Sequence, residues 1–100
     1  MPPSVPSGWI QADNSLTRTI QRTDFIEALA FVLEIGKLAE RANHHPDIDI
    51  RYRSVSLSLS THSAGNIVTD KDLALAGEIN DLSEDTIRLT KDDLRSRFGR

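Results

Sequence analysis

Three histidines, His44, His45 and His62, are the side chains of this sequence best suited to acid–base chemistry. An unperturbed imidazole titrates at about pH 6.5, so it can give or take a proton near neutrality. His44 and His45 follow a predicted helix and His62 follows a predicted strand, so the fold could bring these element ends together. By itself the pattern is a weak signal, because an adjacent histidine pair at a helix end more often serves as a cap or a dipole partner.

Two further interpretations of the histidines have to be weighed. A three-histidine zinc site would have the right ligand type and would leave a position open for water, but adjacent histidines rarely aim at one ion. Glu40 precedes His44 by one helical turn. Its carboxylate could orient that imidazole through a hydrogen bond, or the two could form an ordinary pair on the helix surface.

Other candidate side chains are an aspartate and two aromatic residues. Asp72 ends the stretch Thr69-Asp70-Lys71-Asp72, which resembles a capping box with Asp in place of the usual Glu. Capping the helix is the simpler interpretation of Asp72. Trp9 and Tyr52 could each stack on a flat heterocycle, although both are more typical of a core or a sheet.

The elements that must position these side chains begin with two short strands and a long helix. Residues 8–12 and 16–20 are predicted strands, separated by a turn at residues 13–15. The main helix is predicted from residue 23 or 24 to about residue 43, with Pro46 ending it. Its apolar surface is wide enough to suggest packing on a sheet and on another subunit.

A hairpin is predicted after this helix. Between Ile48 and Leu59 the apolar alternation shifts from even to odd positions, which a single flat strand would place on opposite faces. A two-residue turn at Arg53-Ser54 puts both sets on one face and pairs Tyr52 with Val55.

Extended outward, the same register brings His45 opposite His62, so the histidines would line one pocket. The turn lacks the Gly or Asn that tight hairpin turns prefer, so a bulged continuous strand stays open as an alternative.

The order of elements predicts an α+β fold. A second amphipathic helix follows the capping box, which gives the order β-β-α-β-β-α and a two-layer domain with helices on one face of a four-stranded antiparallel sheet. We expect a flexible N-terminal arm over residues 1–7, the domain over 8–82 and a charged C-terminal extension over 83–100. That extension offers little to a core, although a short helix could start at Thr90.

Composition narrows the class of partner. The 100 residues suffice for one domain, and a net charge of −3 gives no reason to expect nucleic acid or a membrane surface. The chain has no cysteine, which excludes disulfides and thiolate metal sites. With neither an apolar run of membrane-spanning length nor a signal-like start, a cytoplasmic location is expected.

Spaced residues of the chain together resemble the signature of the pterin-4a-carbinolamine dehydratases. The resemblance covers roughly residues 8 to 82 and is carried by Gly8-Trp9, Asp24-Phe25, Glu40, His44-His45-Pro46, Tyr52, Thr61-His62 and Asp72 before Leu75-Ala76. The loop between His62 and Asp72 is one residue longer than is usual, so Asp70 is an alternative for the family aspartate. The tail beyond about Leu82 has no counterpart in the typical member.

The resemblance implies an α+β domain that dehydrates 4a-hydroxytetrahydropterin to quinonoid dihydropterin during tetrahydropterin recycling. It implies no metal or organic cofactor, a pterin substrate and a homodimer or homotetramer. By resemblance His44 and His62 exchange the acid and base roles and His45 holds the substrate. By the same resemblance Glu40 would orient a histidine, and Thr61 and Asp72 would shape the pocket wall.

A binding or assembly protein on the same fold is the alternative function. Relatives of this kind include a coactivator of transcription factors and assembly factors for the carbon-fixing carboxylase, and a fold alone does not separate them from the enzyme. The combination of Glu40 with all three histidines favours the enzyme, because a scaffold has no use for it.

Overall fold

The structure is a computed structural model that describes residues 5–98. Strands and helices follow in the order β1 (Ile10–Ala12), β2 (Ser15–Gln21), α1 (Phe25–Ala42), β3 (Asp47–Arg51), β4 (Ser54–Leu59), α2 (Asp70–Asn80) and α3 (Glu84–Phe98). A 3-10 turn, His62–Ala64, lies between β4 and α2. The predicted α+β class is confirmed, with a long third helix where only a short one starting at Thr90 was expected. Most of the predicted arm over residues 1–7 lies outside the described residues.

The four strands form one antiparallel sheet in the order β1-β2-β4-β3. Alternation along β2 and β4 sends their apolar side chains to the inner face, where Leu16, Val55 and Leu59 are fully buried against the helices. The outer face carries the intervening serines and threonines. Pairing of β4 with both neighbours therefore fixes which side chains reach the core and which stay in solvent.

The β3–β4 hairpin and its shared apolar face are confirmed, but its turn is not where it was predicted. Ile50 pairs with Val55, so the turn residues are Tyr52 and Arg53 and not Arg53 and Ser54. Tyr52 takes the left-handed conformation, with a φ of 57°, that tight hairpin turns demand. Tyr52 is consequently 66% exposed and does not pair with Val55.

Local capping explains where α1 begins and ends. The Asp24 side chain accepts a hydrogen bond from the Glu27 amide at 2.9 Å, as a cap residue should. Asn43 adopts a left-handed φ of 49°, and the amides of Asn43 and His44 bond back to the last turn. The prediction that Pro46 ends the helix is wrong, because the left-handed Asn43 has already turned the chain.

Helix α3 corrects the expectation that the charged C-terminal stretch adds little to the core. It begins at Glu84 and not at Thr90, and it packs mainly on α1. Ile87 and Leu94 are only 2% and 7% exposed. Part of the wide α1 surface that was expected to meet a second subunit is therefore covered from within the chain.

None of the helices within residues 5–98 combines the length and apolar character needed to cross a membrane.

Candidate active site

The three histidines line one open cleft of about 490 Å³, which also contains Pro46 and Thr61. The cleft lies where the end of α1, the start of β3, the end of β4 and the start of α2 meet. Its volume falls in the range of roughly 300–1,000 Å³ that is typical of small-molecule sites. The structure thus brings together side chains that are as far apart in the sequence as His44 and His62.

A buried aspartate positions His44. Nε2 of His44 lies 2.5 Å from Oδ1 of Asp72, whose side chain is fully buried. The other carboxylate oxygen of Asp72 accepts hydrogen bonds from the Thr61 hydroxyl and the Thr69 amide, each at 2.8 Å. The predicted capping box is confirmed, and Asp72 does more than cap a helix. A carboxylate beside Nε2 favours a proton on that nitrogen, so any exchange of a proton between His44 and a bound molecule would use Nδ1.

Glu40 pairs with His45, so the predicted contact between Glu40 and His44 is wrong. The left-handed turn at Asn43 takes the chain out of helical register, and His44 no longer follows Glu40 on one helix face. The pair lies at the solvent-exposed rim of the cleft, with side chains 56% exposed for His45 and 78% for Glu40. An ion pair that is so exposed contributes little to stability.

His62 reaches the cleft from the 3-10 turn and not from a paired strand position. Strand β4 ends at Leu59, and the observed register extended outward places His45 level with Ser60. The predicted pairing of His45 with His62 is therefore wrong, although both side chains line the same cleft. The amide of Thr61 donates to the Ile67 carbonyl at 2.8 Å and closes the loop that carries His62.

Several residues of the cleft were missed from the sequence. They lie beside residues that were identified, so chain adjacency is the only signal for them: Asn43, Asp47, Ser60, Ser63 and Lys71. Trp9 is buried in the core, and Tyr52 lies at the exposed hairpin tip. Of the two candidate aspartates, Asp72 contacts His44, while Asp70 is exposed at the first position of α2.

The zinc interpretation receives no geometric support. Within the described residues 5–98, no three His, Cys, Asp or Glu side chains are grouped closely enough to hold a metal ion.

Comparison with known proteins gives concordant results. A family model described as Pterin 4 alpha carbinolamine dehydratase matches residues 3–82. A provisionally named pterin-4-alpha-carbinolamine dehydratase of Roseiflexus castenholzii is 50% identical over 76 residues, which cover 76% of this chain and 81% of that protein.

Two solved structures share the fold. The crystal structure of a transcriptional coactivator/pterin dehydratase from Brucella melitensis has a TM-score of 0.70 at 34% identity, covering 74% of this chain and 80% of that one. A pterin dehydratase-like protein identified as a RuBisCO assembly factor in the alpha-carboxysome has a TM-score of 0.60 at 20% identity, covering 73% and 86%. At 20% identity, the second comparison shows only that the two proteins share a fold.

Proposed function

The chain belongs to the pterin 4 alpha carbinolamine dehydratase family, and from that premise we propose that it dehydrates 4a-hydroxytetrahydropterin to quinonoid dihydropterin. The observation that carries the proposal is the shared cleft of about 490 Å³, which three imidazoles help to line and in which one of them is held by a buried carboxylate. Such a cleft offers both a proton donor and a proton acceptor to one bound molecule.

The chemistry needs two proton transfers. The leaving 4a-hydroxyl must take up a proton to depart as water, and the ring nitrogen N5 must lose its proton so that the N5–C4a double bond can form. An acid and a base must therefore flank the pterin. His44 and His62 are proposed for these roles, with His44 using the nitrogen that does not face Asp72.

The remaining cleft residues are proposed to hold the substrate. His45, paired with Glu40 at the rim, binds the pterin, and Glu40 orients His45 and not His44 as first expected. The Thr61 hydroxyl donates a hydrogen bond to Asp72. This contact holds the carboxylate in place, and the carboxylate in turn orients His44. These positioning contacts preorganise the imidazoles before the substrate arrives.

Assembly and location complete the proposal. Helix α3 covers part of α1, while β1 and β3 each leave one sheet edge without a partner strand in the described chain. We propose that a second copy pairs with a free edge to form a homo-oligomer, since unpaired edges favour strand addition. A cytoplasmic location and a role in tetrahydropterin recycling remain part of the proposal.

A dehydration assay on chemically generated 4a-hydroxytetrahydropterin tests the function. The chain should speed the reaction above its uncatalysed rate by roughly a hundred- to ten-thousand-fold, and treatment with a chelator should leave that rate unchanged. No acceleration by a folded protein would favour the alternative, a coactivator-like or assembly-factor-like binding protein. Loss of activity on chelation would favour a metal enzyme.

A further inference from the structure

An exposed aromatic pocket of about 370 Å³ lies where the start of α1, the β3–β4 turn and the end of α3 meet. It shares no lining residue with the histidine cleft. Three aromatic rings line it: Phe25, Tyr52 and Phe98. These residues are 47%, 66% and 68% exposed, although the chain has only one Trp, one Tyr and three Phe in all. Exposed apolar groups gathered at one place mark interaction surfaces, so the aromatic pocket is a candidate docking site.

The backbone at Tyr52 points to a role for its ring. Tyr52 stands in the β3–β4 turn with a φ of 57°, a region that Gly adopts easily and that a bulky side chain rarely adopts. Its ring lies outside the hydrophobic core. A residue that strains the turn without adding to the core is best explained by what its ring contacts.

The charges of the pocket are paired with each other. Among the described residues that line it, the two charged side chains are Asp24 and Arg95, and Arg95 donates to Asp24 at 3.1 Å. The other carboxylate oxygen of Asp24 accepts from the Glu27 amide. The pocket therefore suits an uncharged, apolar occupant. Further N–H groups of Arg95 and the Tyr52 hydroxyl can donate to carbonyl groups of that occupant.

The chain itself contains a segment of matching chemistry. Residues 1–6 read Met-Pro-Pro-Ser-Val-Pro, which includes three of the four prolines and no charged side chain. Proline-rich segments dock into aromatic-lined grooves because they are stiff and lose little entropy on binding. Each proline also offers a carbonyl acceptor without an N–H donor of its own. Such a segment matches the rings and the donors of the pocket at once.

We propose that the aromatic pocket of one copy of the chain binds residues 1–6 of a second copy. The occupant comes from a second copy because the described part of the same segment lies elsewhere, since Val5 and Pro6 do not line the pocket. The next carbonyl, that of Ser7, accepts from the Asn80 side chain at 2.9 Å, at the end of α2. This contact is separate from the pairing of sheet edges and does not depend on the dehydration.

A mixed-label measurement on the full chain tests the proposal. Because the chain has no cysteine, Ser4→Cys supplies a single thiol for a nitroxide spin label. The spin-labelled variant at natural isotope abundance is mixed with the ¹⁵N-labelled parent, so that only contacts between copies broaden the observed amide signals. We expect the amide signals of Phe25, Tyr52 and Phe98 to lose most of their intensity, while that of Leu89 is unchanged.

Matched variants locate the contact. A capped peptide of residues 1–6 is titrated into the ¹⁵N-labelled chain to measure its affinity. Phe98→Ala should weaken binding roughly five- to thirtyfold, as the loss of a central aromatic contact does. Tyr52→Gly should do the same and leave the melting temperature equal or higher, because Gly relieves the left-handed turn. Leu89→Ala removes an apolar side chain that is 69% exposed and lies outside the pocket, and should change neither quantity.

Two results would overturn the proposal. Broadening that is absent, or that is confined to the edge strands β1 and β3, would show that residues 1–6 do not reach the pocket of a second copy. A peptide affinity that stays at the parent value in both Phe98→Ala and Tyr52→Gly would show that the aromatic rings do not bind the segment. Either result would leave the proposed dehydration standing, since the cleft uses none of these residues.

Discussion

The two ends of α1 carry polar networks of different kinds. At the C-terminal end, Nε2 of His44 contacts the buried Asp72, and His44 also lines an open cleft. At the N-terminal end, Glu27 lies 3.1 Å from Arg22 and 3.2 Å from Lys91 of α3, and these side chains are 15%, 10% and 19% exposed. The first network places an imidazole where it can contact a bound molecule, whereas the charged groups of the second network pair with one another.

The pKa values of two carboxyl groups at the α1–α3 contact show what that difference means. Burial alone would raise the pKa of Glu27, but hydrogen bonds from Thr23 and Lys91 and the charge of Arg22 outweigh it and lower the pKa to about 2. Burial also opposes ionisation of Glu34, yet Lys37 and Thr90 lower its pKa. Carboxylates held in this way stay ionised at neutral pH and stabilise the α1–α3 contact without being able to exchange protons there.

The largest effect should come from removing a reacting imidazole. Replacing His62, which is exposed in the cleft, by Ala should lower kcat by roughly a hundred- to ten-thousand-fold with little change in thermal stability. His44→Gln should do the same, and it is preferable to His44→Ala because Gln can still donate to the buried Asp72. Steady-state kinetics and thermal melts check both, and near-normal kcat in either folded variant would contradict the assignment.

The aspartate behind His44 should come next. Asp72→Asn should lower kcat by roughly ten- to a thousandfold, because an amide no longer favours the proton on Nε2 of His44. The same variant should lose about 1–3 kcal/mol of stability, since Thr61 and Thr69 also bond to this carboxylate. Asp70→Asn, two positions earlier and exposed, is the control and should leave both quantities unchanged.

The opposite end should respond in stability and not in activity. Because the pKa of Glu27 is lowered from 4.5 to about 2 in the folded chain, its charge stabilises the fold above about pH 4.5, and this contribution disappears as the pH falls towards 2. Glu27→Gln should cost about 1–2 kcal/mol at pH 7, and the difference from the parent should shrink across that interval. Asp85→Asn, which removes an exposed pair with Arg88, should cost little at either pH.

The smallest effect should come from the exposed rim of the cleft. His45→Ala should raise KM by roughly three- to tenfold with kcat nearly retained, if His45 mainly binds the substrate. Glu40→Gln should give a weaker change in the same direction, because it only orients His45. A loss confined to kcat would instead place His45 among the groups that transfer protons.

Local signals made much of this structure predictable. Both helix caps are local sequence patterns, the capping box at Thr69 and Asp72 and the cap at Asp24. The starts of α2 and α1 could therefore be predicted from them. The apolar face of the hairpin followed from alternation alone, while its turn did not, because Tyr52 in a left-handed conformation has no propensity signal.

Contacts between distant segments could not be predicted from the sequence. The pairing of His44 with Asp72 depends on the turn at Asn43, which redirects His44 towards α2 and leaves Glu40 to His45. Helix α3 was underestimated because its charges dominate its composition, yet Ile87 and Leu94 bury themselves on α1. Both contacts depend on a surface that a distant segment forms only in the folded chain, so the local sequence carries no signal for them.

The central claim is that His44 and His62 act together on one bound pterin, and a double-mutant cycle tests it most directly. The rate of dehydration of 4a-hydroxytetrahydropterin is measured for the parent, His44→Gln, His62→Ala and the double variant. Two groups that serve one proton-transfer sequence should give a double variant whose loss in kcat is smaller than the product of the single losses. A loss equal to that product, in folded variants, would contradict the account and show that the two histidines act independently.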